Sequence, residues 1–200
     1  MTSVEVEILE RLTHDVRIQL AKKPKRLEHS LRVSAEAVRL AEIYGVNTFE
    51  ACAAGLLHDW DKALSAEEQI RRAEDFKIDM GVPLKDVVGL LHGLIAQKEL
   101  PKRYPELPAS VFQAIGRHTL GAWDMSPLDE VIFVADGIEP GRPQTPSLEE
   151  LRGCVGTVDL DELFWRSFTS GIVYVIETER YLYPGTIRIY NELWRTRANR

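Results

Sequence analysis

The stretch AAGLLHDWDKAL, residues 53–64, ends a run of small and apolar residues with an imidazole and a carboxylate side by side, His58 and Asp59. The run before them is typical of a buried helix, and Asn47-Thr48 can cap the start of that helix. Burying either polar group without a partner is unfavourable by several kcal/mol. A neighbouring side chain or a metal ion must therefore compensate for the burial of this pair.

Helical periodicity extends outward from this stretch in both directions. Upstream, apolar residues at intervals of four predict a first helix within residues 3–21, which Pro24 ends, and a second apolar face runs to Gly45. The predicted apolar faces of these two helices comprise Val4, Ile8, Leu12, Val16 and Leu20, and then Leu27, Leu31, Ala35, Val38 and Ala41.

Downstream, capping residues and prolines predict further helix starts and one loop. Capping boxes are predicted at 65–68 and 147–150, further helices begin at Pro83, Ser126-Pro127, Asp159 and Pro184, and Pro101, Pro105 and Pro108 mark a loop. The sequence predicts an all-α fold of about eight to nine helices. We expect a single domain over residues 1–200, with a core of about 25–180 and terminal helices packed on it.

The composition excludes several classes of protein. A net charge of −6 argues against a general nucleic-acid binder, and no apolar run reaches the ~18–20 residues of a membrane span. The first residues are acidic and lack the basic region of a signal peptide, and two isolated cysteines indicate a reducing compartment. We therefore expect a cytoplasmic protein that binds neither nucleic acid nor membrane.

Four of the five histidines fall on different predicted helices, each at or near an apolar face: His29, His58, His92 and His118. A single such histidine is more often a structural residue, but four in a helix bundle can converge on one metal site. Asp59 and Asp136 add carboxylates in apolar surroundings, where an acid needs a partner or a metal. Imidazole and carboxylate suit transition metals, and a pair of metals can activate water against phosphorus.

The order of these six residues resembles the HD-domain phosphohydrolase superfamily. Six segments of sequence resemble, more narrowly, the bacterial YqeK-like family of symmetrical bis(5'-nucleosyl)-tetraphosphatases, which cleave diadenosine tetraphosphate into two ADP. They are HSLRVSAEAVRLAEIYGV (29–46), AAGLLHDWDKAL (53–64), LLHG (90–93), AIGRHTLG (114–121), MSPLDEVIFVADGIEPGR (125–142) and PGTIRIYNELW (184–194).

The resemblance implies a binuclear metal centre. It assigns His29, His58, Asp59 and Asp136 to the first metal, and Asp59, His92 and His118 to the second. The resemblance suggests iron, whereas the residue spacing alone does not distinguish iron from manganese or another transition metal. A metal-bridging hydroxide would attack a central phosphate of the dinucleoside polyphosphate substrate.

Four further residues are candidates for substrate contacts. Lys62, one turn after His58, and Arg142, in the loop after Asp136, are also candidate catalytic residues beside Asp59. Alternatively Lys62 pairs with Asp61 or Glu67, and Arg142 is an exposed loop residue. Thr119 either donates to phosphate or caps a helix end, and Arg32 either contacts phosphate or forms a surface salt bridge.

Other interpretations remain open at this stage. The chain could be another HD-domain phosphohydrolase that acts on other nucleotides, a nucleotide-sensing module without catalysis, or a bundle whose histidines only satisfy one another. Trp60, Asp61 and Gly137 depart from the family's usual residues and bear on substrate choice. The sequence leaves both a monomer and a homodimer open.

Overall fold

The computed structural model describes residues 1–198, and in this range the chain forms α-helices, two short 3-10 helices and no β-strand. The α-helices are α1 (Ser3–Gln19), α2 (Pro24–Tyr44), α3 (Thr48–Leu57), α4 (Ala66–Asp75), α5 (Val88–Arg103), α6 (Ala109–Arg117), α7 (Pro127–Ile138), α8 (Pro146–Cys154), α9 (Leu160–Glu177) and α10 (Pro184–Ala198). The 3-10 helices span Trp60–Ala63 and Leu84–Asp86. The all-α prediction is confirmed.

Ten α-helices over residues 1–198 exceed the predicted eight to nine. The short helices α4 and α8 begin at polar caps, since Ser65 accepts a hydrogen bond from the Glu68 amide and Thr145 from the Leu148 amide. Thr145 lies two residues before the predicted cap of α8. The predicted caps of α3, α7 and α9, namely Asn47, Ser126 and Asp159, are confirmed.

Helices α2, α3 and α7 pack against one another and carry most of the candidate site. The buried face of α2 includes Val33, Ala37 and Leu40, whereas Ala35 on the predicted face is exposed. The difference arises because α2 approaches α3 through small residues. A Cβ on Gly55 would lie 2.6 Å from Ser34 Cα, so only glycine allows this contact.

Helix α5 packs against α4, α6 and the first 3-10 helix, and it contributes to a second apolar cluster. That cluster consists of Ala73, Met80, Val87, Leu91 and Ile95. Pro101 lies inside α5 rather than in the predicted loop. It occupies the last turn, where the loss of one backbone donor is tolerated because the helix ends two residues later.

The C-terminal helices close the other side of the structure. Helix α9 packs against α7, and Trp165 of α9 stacks on Tyr190 of α10 at a centroid distance of 5.3 Å. None of the helices between residues 1 and 198 combines the length and the apolar composition that crossing a bilayer requires. The division into one domain stays a prediction.

Candidate metal centre

Six side chains from separate parts of the chain meet in the interior of the bundle. His29 lies on α2, His58 and Asp59 follow α3, His92 lies on α5, and His118 follows α6. Asp136, on α7, completes the group that the sequence predicted. Each of the four histidines is at most 6% exposed. The described residues include three overlapping sets of these side chains that could hold a metal ion.

A first group of four side chains, drawn from two of these sets, lies around His29 Nε2. This atom lies 3.0 Å from Asp136 Oδ1, 3.3 Å from His58 Nε2 and 3.6 Å from Asp59 Oδ2. His58 Nε2 in turn lies 3.5 Å from Asp59 Oδ2. Two imidazole nitrogens and two carboxylate oxygens therefore face a common point, and we call this group subsite 1.

The second set uses the other oxygen of the same carboxylate. Asp59 Oδ1 lies 3.2 Å from His92 Nε2, which lies 3.0 Å from His118 Nε2. We call these three residues subsite 2. Asp59 therefore directs one oxygen to each subsite, which is the arrangement of a carboxylate that bridges two metals.

Hydrogen bonds on the far side of the rings set the orientation of three histidines. His58 Nδ1 lies 2.8 Å from the Gly55 carbonyl and His118 Nδ1 lies 2.6 Å from the Ile115 carbonyl, while His29 Nδ1 lies 3.0 Å from Glu139 Oε1. Because these oxygens only accept, each Nδ1 carries the proton and each Nε2 presents a lone pair. The lone pairs of His29 and His58 then face each other, and a cation between them would stabilise this arrangement.

The electrostatic environment keeps the acids ionised. Burial alone would raise the pKa of Asp59, but His58 and His92 outweigh it and hold that pKa well below its usual range. Burial likewise opposes the ionisation of Asp136, yet its contact with His29 and the charges of His58 and Arg142 lower its pKa. Two charged carboxylates at one point favour a divalent cation.

The pKa values of His58, His92 and His118 are shifted in different directions. Burial lowers the pKa of His118 to about 3 and also lowers that of His92, so the imidazoles of subsite 2 stay neutral at pH 7. At His58 the effect of burial is exceeded by the attraction of Asp59 and Asp136, which raises the pKa. Neutral imidazole is the form that binds metals.

Arginines surround the acids of the cluster. Arg26 Nη1 donates to Asp59 Oδ2 at 2.7 Å, and Arg32 Nε donates to Glu139 Oε2 at 2.6 Å. Arg142 Nε donates to the Asp136 carbonyl at 2.8 Å and its Nη2 to the Asp136 carboxylate. The side chains of Arg26, Arg32 and Arg142 remain 37–38% exposed, so each is partly accessible to solvent.

Lys62 and Thr119 also lie near the cluster, but their contacts differ from those expected. The helix does not continue past His58; Lys62 lies on a 3-10 helix and its Nζ donates to the Gly89 carbonyl at 3.1 Å. Burial lowers the pKa of Lys62. Thr119 Oγ1 lies 2.9 Å from His118 Nε2 and 3.4 Å from His92 Nε2, so its hydroxyl lies directly at subsite 2.

The sequence analysis missed Arg26 and Glu139. Arg26 lies one helical turn before His29, a spacing that could have indicated it. Glu139 lies one turn after Asp136, at the C-cap of α7, and its side chain is buried. The signal for Glu139 was a further acidic residue three positions after Asp136, at the end of the same apolar stretch.

The three departures from the family pattern face the core rather than the cluster. Trp60 is buried and its ring meets Tyr104 edge-on at 6.1 Å, and Asp61 is fully buried. At Gly137 a Cβ would lie 3.3 Å from Ser167 Oγ, where α7 approaches α9. These positions affect helix packing, and an influence on substrate choice stays a prediction.

Comparisons with known proteins agree with this geometry. Residues 26–141 match the HD domain. The chain is 32% identical over 170 residues to a protein of Staphylococcus aureus named "Bis(5'-nucleosyl)-tetraphosphatase, symmetrical", covering 84% of this chain and 86% of the relative. A protein of the same name from Bacillus subtilis is 29% identical over 170 residues, covering 84% of this chain and 89% of that one.

A solved structure has the same architecture. It is a Clostridium acetobutylicum protein described as a predicted HD superfamily hydrolase involved in NAD metabolism. The TM-score is 0.82 at 35% identity, covering 94% of this chain and 97% of that one. The match to the HD domain covers all six residues of the cluster, from His29 to Asp136. The chain therefore belongs to the HD-domain hydrolases and, among them, to the family of symmetrical bis(5'-nucleosyl)-tetraphosphatases.

Proposed function

We propose that this protein hydrolyses diadenosine tetraphosphate, or a closely related dinucleoside tetraphosphate, symmetrically into two nucleoside diphosphates at a binuclear metal centre. The observation that carries the proposal is the position of Asp59, whose two oxygens face two separate groups of imidazoles. The names of the Staphylococcus aureus and Bacillus subtilis relatives support the choice of substrate.

The donor set fits two transition-metal ions. His29, His58, Asp59 and Asp136 would hold one ion, and Asp59, His92 and His118 would hold the other. Nitrogen and oxygen donors without a thiolate suit iron and manganese, and we propose iron on the strength of the family resemblance. When bound, such a pair of ions lowers the pKa of a water molecule between them and stabilises negative charge on an attacked phosphate.

The cationic residues around the cluster suit a polyphosphate. Arg26, Arg32 and Arg142 each pair with a carboxylate of the site while remaining partly exposed. A phosphate chain bound on the solvent side of the cluster would therefore contact three guanidinium groups. The overall charge of −6 makes this local concentration of cations more distinctive. Lys62 and Thr119 would contact the phosphates from the α5 and α6 side.

Symmetric cleavage fixes which bond breaks. Water adds to one of the two central phosphorus atoms, the bond from that phosphorus to the central bridging oxygen breaks, and the bridging oxygen leaves with the second nucleoside diphosphate. We expect Arg142 and Arg32 to stabilise the charge that develops on these oxygens, because guanidinium groups match phosphate geometry in a bidentate manner.

Product analysis tests the proposal. The protein is purified without added metal, its metal content is measured, and it is incubated with diadenosine tetraphosphate. We expect ADP as the sole nucleotide product, whereas AMP with ATP would contradict symmetric cleavage. Equal rates on mononucleotides would instead favour another HD-domain phosphohydrolase, and tight nucleotide binding without turnover would favour a sensing module.

A pair of variants locates the chemistry. Asp59→Ala should lose at least about a hundredfold of the activity, because it removes a ligand from both subsites. The matched control is Asp75→Ala, since Asp75 is an exposed carboxylate that pairs only with Arg71 in the structure. If Asp59→Ala hydrolysed the substrate as fast as the Asp75→Ala control, the cluster would not be the catalytic site.

A further inference from the structure

Glu139 is a buried carboxylate outside the group of six residues. Its side chain is 2% exposed, and it has two hydrogen bonds to side chains of the distant helix α2 and one to the nearby backbone. Oε1 faces His29 Nδ1 at 3.0 Å, Oε2 accepts from Arg32 Nε at 2.6 Å, and Oε2 also accepts from the backbone amide of Gly141. The hydrogen bonds of His29 and Arg32, together with the Gly141 amide, keep the pKa of Glu139 below its usual value although burial opposes this.

We propose that Glu139 is a positioning residue that directs His29 Nε2 into subsite 1 and thereby sets the metal affinity of that subsite. The inference rests on the proposed metal centre but not on the identity of the substrate. Because a carboxylate only accepts, it fixes the proton of His29 on Nδ1 and leaves the Nε2 lone pair facing Asp136 and His58.

His29 differs from the other histidines in the charge of its partner. His58 and His118 use backbone carbonyls, and His92 Nδ1 has no hydrogen-bond partner among residues 1–198. A backbone carbonyl also orients an imidazole, but the negative charge of a carboxylate raises the basicity of the ring further, which strengthens its bond to a metal. Glu139 therefore acts on subsite 1 and leaves subsite 2 without a comparable support.

The same carboxylate also fixes the turn that presents Arg142. It binds the Gly141 amide, and Arg142 N donates to the Glu139 carbonyl at 3.0 Å. The turn lies close against α2, because a Cβ on Gly141 would fall 2.3 Å from Arg32 Nε. One side chain thus joins the helix that carries a metal ligand to the turn that carries a phosphate-binding candidate.

Metal binding to purified, metal-free protein tests this role without any substrate. Glu139→Gln should weaken the binding of Fe²⁺ or Mn²⁺ at one of the two subsites by about 10–100-fold, measured by competition with a chromogenic chelator. After dialysis against chelator, the metal content should fall from about two ions to about one ion per chain. Glu139→Asp, which keeps the charge but shortens the reach to His29, should show a smaller loss and covers the case in which Glu139→Gln does not fold.

The matched control is Glu36→Gln. Glu36 is a buried carboxylate on the same helix as His29, and it pairs with Arg39 rather than with a histidine. Its loss removes a comparable ion pair, so we expect metal affinity to stay within about twofold of the parent protein. Thermal unfolding of the metal-free variants reports their stability separately.

If Glu139→Gln or Glu139→Asp lowered only the melting temperature and bound two metals as tightly as the parent protein, Glu139 would be a structural residue and the proposal would be wrong. The outcome is separable from that of the proposed function. A parent protein that binds two metals but releases no ADP from the dinucleotide would contradict the proposed substrate and leave the role of Glu139 standing.

Discussion

Replacing Asp61 with asparagine should stabilise this protein at neutral and alkaline pH but much less in acid. Asp61 is fully buried, and neither carboxylate oxygen has a hydrogen-bond partner among the described residues. The nearest guanidinium, that of Arg72, lies 3.9 Å away and is bound to Glu68 and Glu99. Burial, together with the charge of Glu99, raises the pKa of Asp61 to about 7.

The magnitude follows from linkage. The folded state holds the Asp61 proton up to about pH 7, whereas the unfolded chain releases it near the ordinary value of 3.8, so stability is lost as the pH rises between these values. At about 1.4 kcal/mol per pH unit, the loss is about 1 kcal/mol at pH 4.5 and about 4 kcal/mol at pH 8. An asparagine does not ionise, so Asp61→Asn should gain about 3 kcal/mol relative to the parent protein between these two pH values.

Urea unfolding of the metal-free proteins at pH 4.5 and pH 8 measures this gain, and the difference between parent and variant cancels the titration of all other groups. Asp129→Asn is the control, because Asp129 is equally buried but accepts from Arg117 and Gln113 at 2.9 Å. That variant should be destabilised at pH 8, since it loses a buried ion pair. If the stability difference of Asp61→Asn were the same at both pH values, ionised Asp61 would not be the source of the instability.

Three further predictions concern the metal centre. Gly93→Ala should destabilise the protein by about 1–3 kcal/mol and lower its metal content, because the new Cβ would lie 2.9 Å from His118 Cε1. The control Gly171→Ala, whose new Cβ would have no atom within 4 Å, should leave the metal content unchanged. Equal metal content in the two variants would contradict this prediction. In a thermal scan, protein supplied with metals at about 100 times their dissociation constant should melt about 5–10 °C higher than protein from which a chelator has removed them. An unchanged melting temperature would argue against metal binding in the folded state. Arg26→Ala should raise KM for the dinucleotide and weaken the dependence of KM on salt, because the Arg26 side chain contacts Asp59 and is also partly exposed to solvent. An unchanged KM would show that Arg26 does not contact the substrate.

Much of the site could be predicted because its residues carry their own signals. His29, His58, His92 and His118 are polar residues at or near apolar helix faces, a placement that is visible in the sequence itself. Most helix starts were also predictable, because N-caps such as Asn47 and Asp159 act through hydrogen bonds within three residues. Local interactions of this kind are readable from sequence.

The contacts between the site residues and their partners could not be predicted, because they join residues far apart in the chain. Glu139 lies 110 positions from His29, and Arg26 lies 33 positions from Asp59. Taken alone, each is an ordinary charged residue at a helix end. Only the packing of α2 against α3 and α7 shows that Glu139 and Arg26 contact metal-ligand candidates.

The exposure of Ala35 on α2 and the meeting of His29 with His58 have one physical origin. Hydrophobic periodicity favours Ala35 as a buried position and treats Ser34 as solvent-exposed, yet the structure buries Ser34 and exposes Ala35. A small polar residue at position 34, opposite Gly55, lets α2 approach α3 more closely than larger apolar residues would permit. That approach brings His29 Nε2 within 3.3 Å of His58 Nε2. The contact that departs from the hydrophobic pattern is therefore the one that brings two ligands from separate helices to a single point.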